Sequence, residues 1–75
     1  MRITVRWFAQ LREQRGCSEE TVDVAGDSRV STVLEALALP TGLRVATAVN
    51  TRIAGPDTVL HEGDELAVLP PIGGG

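Results

Sequence analysis

The chain has 75 residues, 43% of them apolar and 23% charged, a balance that fits one globular domain and no more. A chain this short buries only about 60% of the surface its unfolded form exposes, which leaves no room for an enclosed active site beside a stable core. Its formal charge is −3, its seven arginines are scattered and its only aromatics are Trp7 and Phe8, a pattern that argues against a nucleic-acid surface.

Residues 2–8 alternate Ile3, Val5 and Trp7 with Arg2, Thr4 and Arg6, the period-two mark of a strand with one buried face. Residues 9–15 hold good helix formers with no β-branched residue, and Gly16 follows as a stop, which predicts a short helix. Residues 19–24 read as a second strand. Val30, Val33, Leu34 and Leu37 then fall at i, i+3, i+4 and i+7, the apolar stripe of an amphipathic helix. Ser31 or Thr32 is expected to cap that helix, with Glu35 in capping-box spacing after Thr32, and Pro40 and Gly42 to end it. Residues 45–53 are expected to form a third strand. Gly55-Pro56-Asp57 signals a turn, residues 58–60 a brief strand and residues 61–64 another turn. Glu65 to Leu69 is an apolar run continuous enough for a strand buried on both faces.

This order predicts an α+β two-layer domain over residues 1–70. Its mixed sheet has four to five strands, crossed by one main helix and accompanied by a short one, which is the ubiquitin-like β-grasp arrangement. Residues 71–75 are expected to form a flexible tail.

The chain closes on Leu69-Pro70-Pro71-Ile72-Gly73-Gly74-Gly75. Two prolines fix φ and cannot extend a sheet ladder, so they stop the strand and aim the remaining residues away from the body. Glycines can thread a narrow channel, and a terminal glycine offers an acyl carbon that no Cβ shields. A carboxylate becomes reactive when converted to an acyl-adenylate, and a sulfur donor can then displace AMP to leave a nucleophilic thiocarboxylate. Glycines alone fit a flexible linker equally well. The discriminating feature is their place after an apolar strand and two prolines.

Elsewhere the residues are bland. Cys17 is the sole cysteine and His61 the sole histidine, which allows no disulfide framework and suggests neither a nucleophile pair nor a metal site. No general acid/base pair stands out. Asp57, Glu62, Asp64 and Glu65 read either as solvated turn residues or as contacts for a partner's arginines. Lysine is absent, so the protein cannot be chained to itself through a lysine side chain. The N-terminal residues lack a signal-peptide layout and no apolar run is long enough for a bilayer, so a cytoplasmic location is expected.

Four segments, in order, carry a family resemblance. They are Trp7-Phe8-Ala9-Gln10-Leu11-Arg12-Glu13, Ala48-Val49-Asn50, Gly63-Asp64-Glu65 and Pro70-Pro71-Ile72 with the terminal Gly74-Gly75. Together they resemble the small subunit of molybdopterin synthase, a β-grasp sulfur carrier, over most of the chain. Leu69 stands where that family often has an aromatic, and Gly73 where it commonly has Ala, Ser or Thr.

The resemblance implies a protein co-substrate rather than an enzyme, with no bound cofactor. An adenylyltransferase related to ubiquitin-activating enzymes would consume ATP to adenylate Gly75, and a sulfur donor protein would convert it to the thiocarboxylate. The large synthase subunit would receive the tail, and the sulfur would pass to cyclic pyranopterin monophosphate during molybdenum cofactor biosynthesis. Gly73 and Gly74 would thread the partner's channel, while Phe8, Leu69, Pro70, Pro71 and Ile72 would dock on partner surfaces. For Leu69 completion of the core strand is the other reading, and for Phe8 packing against the short helix. The competing functions are a sulfur carrier for thiamine, cysteine or tRNA thiolation, and a ubiquitin-like modifier.

Overall fold

A computed structural model describes residues 1–38 and 45–70. The elements run β1 (Arg2–Trp7), α1 (Gln10–Arg15), β2 (Glu19–Asp23), α2 (Val30–Ala36), β3 (Ala46–Val49), β4 (Arg52–Ile53) and β5 (Glu65–Leu69). The strands form one mixed sheet in the order β2-β1-β5-β3-β4. This is the β-grasp arrangement expected of the sequence, with five strands, one longer helix and one short one. Pro71 to Gly75, expected to form a flexible tail, lie outside the described residues.

The two apolar strands lie where their patterns require. β1 is flanked by β2, antiparallel, and by β5, parallel. β5 is flanked by β1 and β3, so its ladder is paired on both sides. Alternation sends Ile3, Val5, Trp7, Leu66 and Val68 to the inner face, where all are almost fully buried. Leu11, Val30, Val33 and Leu60 complete the core. Each such side chain contributes about 1.5–3 kcal/mol of burial.

Trp7 is buried despite its polar N–H because Nε1 donates to Glu20 Oε2 at 2.8 Å. The Arg15 guanidinium lies 4.8 Å from the indole centroid, pairs with Glu20 at 3.2 Å and donates to the Leu37 carbonyl at 3.0 Å. One side chain thus joins α1 to β1, to β2 and to the end of α2. Cys17 is half-buried and its thiol donates to Glu20 Oε2 at 3.7 Å.

Three expectations require correction. The helix α2 begins at Val30, with Arg29 in the cap position and no side-chain cap bond, so Ser31 and Thr32 lie inside it. Its free N–H groups are satisfied from a distance. Val30 N–H donates to Thr58 O and Ser31 N–H to Pro56 O, both at 3.0 Å. The carbonyls of the 56–58 loop thus replace the capping box. The helix closes at Leu37, before Pro40 and Gly42, which lie outside the described residues.

The expected third strand over 45–53 is a hairpin. Asn50 (φ 50°) and Thr51 (φ 71°) form its two-residue turn, with both angles positive as a type I′ turn demands, and return the chain as β4. The brief strand at 58–60 reduces to one bridge, between Val59 and Arg29.

Candidate functional site: the end of the final strand and the outer sheet face

β1 and β5 run parallel with Trp7 opposite Val68, so both strands finish at the same end of the sheet. Phe8 therefore emerges beside Leu69 and Pro70, and its N–H donates to Val68 O at 3.2 Å. The chain leaves β1 through a sharp turn at Ala9 (φ 53°, ψ −134°), closed by Leu11 N–H on Phe8 O at 3.1 Å. Phe8 is held at the sheet's rim with 39% of its surface exposed. Leu69 and Pro70 are half-buried. The structure thus brings three of the sequence's candidate docking residues together. The others, Pro71, Ile72, Gly73, Gly74 and Gly75, lie outside the described residues.

Pairing and alternation define the outer face, away from the core. Its β2–β1 half is polar, with Arg2 opposite Asp23, Thr4 opposite Thr21 and Arg6 opposite Glu19. The other half is apolar. Leu69 faces Ala46, Ala67 faces Ala48, and Ala48 faces Ile53. The small side chains of Ala48 and Ala67 make a shallow floor, nearly closed to solvent, and Ile53 stands at its edge 82% exposed. Alternation along β1 assigns Phe8 to the same face. The Arg6–Glu65 pair, 3.6 Å apart and partly exposed, marks the border between the halves. Sequence reasoning missed Ile53, because it placed that residue at the end of a single third strand rather than on the return of a hairpin.

The acidic turn is occupied internally. Asp64 accepts from His61 N–H at 2.8 Å through Oδ2 and from Asn50 Nδ2 at 2.9 Å through Oδ1. Glu62 accepts from Arg2 N–H at 3.1 Å, and Glu65 carries the pair with Arg6. Three of the four carboxylates proposed for a partner's arginines thus have partners within the chain; Asp57 is exposed. Desolvation pushes the Asp64 carboxyl up, but the Asn50 side chain, the His61 N–H and the nearby imidazole outweigh it and hold the group below its ordinary value. His61 itself is mostly exposed.

The family model described as the ThiS family matches residues 5–75, nearly the whole chain. The chain belongs to the ThiS family. The molybdopterin synthase sulfur carrier subunit of Escherichia coli is 36% identical over 83 residues, spanning 97% of this chain and 99% of the relative. The crystal structure of small archaeal modifier protein 1 from Haloferax volcanii superposes with a TM-score of 0.85 at 30% identity, covering 100% of both chains. A chain in the Helicobacter pylori complex of subunits 1 and 2 of molybdopterin-converting factor superposes with a TM-score of 0.68 at 25% identity, again over 100% of both. This ThiS-family chain is therefore a ubiquitin-like β-grasp protein of the sulfur-carrier type. Among the described residues no helix is long and apolar enough to cross a membrane.

Proposed function

We propose that this chain is the sulfur-carrier subunit of a molybdopterin synthase, acting through Gly75. The Gly75 carboxylate attacks ATP on an activating enzyme, releasing pyrophosphate and forming the acyl-adenylate. Sulfide delivered by a sulfur donor protein then attacks the acyl carbon, AMP leaves, and loss of the sulfur's proton gives the thiocarboxylate. The large synthase subunit takes up the tail, the sulfur passes to cyclic pyranopterin monophosphate, and water returns Gly75 to the carboxylate for another round. The other proteins supply the catalytic groups, and the ATP is used on the activating enzyme.

The observation that carries this reading is the meeting of Phe8, Leu69 and Pro70 at the end of the sheet from which the glycine tail departs. An apolar face begins there, so a partner that receives the tail can hold the body beside it. The Helicobacter complex supports a large-subunit partner. The second reading, a protein modifier, is favoured by the higher TM-score to the Haloferax protein.

Intact-mass analysis of the protein recovered from its own cells separates the two. A gain equal to the exchange of oxygen for sulfur, mapped to Gly75, is the expected result. Conjugates to lysines of other proteins, with no such species, would establish the modifier and sink the carrier. Growth on nitrate by a strain lacking its own molybdopterin carrier tests the pathway; failure of complementation by a thiocarboxylated protein would move it to another product.

A further inference from the structure

β5 carries the tail, yet its sequence fixes its own register weakly. Glu65-Leu66-Ala67-Val68-Leu69 is apolar at four consecutive positions, and Leu66, Ala67 and Val68 are all buried. A one-residue slip would exchange Leu66 and Val68 for Ala67 and Leu69 on the inner face, replacing one apolar set by another. It would also carry Leu69 and Pro70 to the opposite faces and move the tail by about 3.3 Å.

A polar clamp stands at the start of this strand. Asn50, in the β3–β4 turn, reaches across 14 residues of sequence and donates through Nδ2 to Asp64 Oδ1 at 2.9 Å. Its Oδ1 accepts from Glu65 N–H, also at 2.9 Å, and its backbone N–H donates to Glu65 O at 2.9 Å. The orientation of the amide is forced, since the Glu65 N–H can only donate and the Asp64 carboxylate can only accept. Asp64 is itself fixed from the other side. Thr4 N–H donates to its carbonyl at 3.0 Å, His61 N–H to its carboxylate at 2.8 Å, and the preceding Gly63, at φ 83°, donates to Arg2 O at 2.9 Å. Asp64 and Glu65 are thus held from β1, from the β3–β4 turn and from within their own turn, and the bond from the Asn50 amide to the Asp64 carboxylate is the one that only this register allows.

We propose that Asn50 and Asp64 form a register lock for β5, and that they are positioning residues for the tail although neither lies at its exit. The functional part of this inference rests on the carrier reading. A slip of one residue would turn Leu69 and Pro70 to the opposite faces and so break up the docking surface beside which the tail is presented.

The test exchanges the two side chains. Asn50→Asp sets a carboxylate against a carboxylate. Adding Asp64→Asn restores the pattern with donor and acceptor reversed: the new amide donates to residue 50 and accepts from His61 N–H. Aspartate tolerates the positive φ at position 50. NMR reads the register directly, through contacts between Ala48 and Ala67 and between Thr47 and Val68, which face one another in the native pairing. Adenylation of Gly75 by the activating enzyme reads presentation. Asn50→Asp is expected to show a second set of β5 resonances or broadened ones, and kcat/KM for adenylation about tenfold lower or more. The double exchange is expected to recover one native register and the rate together.

A single native register in Asn50→Asp with an undiminished rate would overturn the lock. So would a double variant no better than the single one. If Asn50→Asp does not fold, a double variant that folds in native register upholds the lock, and one that also fails overturns it. Wild-type protein that the enzyme never adenylates refutes the carrier reading, while the NMR comparison still decides the lock.

Discussion

Ile53→Ser separates docking from folding on the outer face. Ile53 is 82% exposed, so folding buries less than a fifth of it. Complete burial of an isoleucine side chain is worth about 1.5–3 kcal/mol, so the substitution should cost the fold at most about 0.5 kcal/mol. A partner that covers the apolar half of the sheet would bury the remainder. Losing that contact should weaken association by about 1–2.5 kcal/mol, or roughly five- to sixtyfold in Kd. Urea unfolding followed by Trp7 fluorescence gives the first quantity, since Trp7 is the only tryptophan and sits in the core. Titration calorimetry with the large synthase subunit gives the second. Unchanged affinity in Ile53→Ser, beside a clear loss in Phe8→Ser, would show that docking stops short of β4 and would refute the face as drawn. A large drop in the urea midpoint would refute the premise that Ile53 is free of the core.

Two further predictions concern the hairpin and the turn it grips. Because the Asp64 carboxyl is held below its ordinary value in the folded chain, its stabilisation is complete above the unfolded-state value and is lost as pH falls through the lowered folded one. The stability difference between wild type and Asp64→Asn should therefore shrink on acidification from about pH 6 to about pH 2 in urea titrations, and a constant difference would contradict the hydrogen-bonded carboxylate. Thr51→Gly should stabilise the fold by about 0.5–1.5 kcal/mol, because a β-branched residue at φ 71° is strained and glycine is not, even after its extra unfolded-state entropy. A lowered thermal midpoint would show that the turn does not hold this geometry in solution.

What was legible in the sequence was what neighbouring residues determine together. The period of two in β1 and the apolar run of β5 placed both strands, and the stripe from Val30 to Leu37 placed α2 with its buried side. The cap of α2 was not legible, since the groups satisfying Val30 and Ser31 N–H are carbonyls of Pro56 and Thr58, brought there only by the folded chain. The hairpin was hidden because Thr51 is an improbable residue for a turn with positive φ. That one omission removed Ile53 from the outer apolar face and turned a two-strand unit into a single strand. The internal partners of the acidic turn were hidden for a similar reason. Its carboxylates look available in a linear chain, yet Asp64 is spent on Asn50 and His61, and Glu65 on Arg6.

The segments that carry the family resemblance therefore divide by role. Ala48-Val49-Asn50 and Gly63-Asp64-Glu65 are distant in sequence but touch in space, and their contact fixes where β5 begins. Trp7-Phe8 and Leu69-Pro70 lie at the far end of the same pair of strands, the end proposed to meet a partner. On the proposed carrier reading the fold has two requirements: a surface to be recognised by, and a strand end set in place relative to that surface. Because Ala67 and Leu69 belong to the face and to the strand that bears the tail, one register sets both. If Asn50 locks this register, an error there is felt five residues along β5, at the end that carries Leu69 and Pro70.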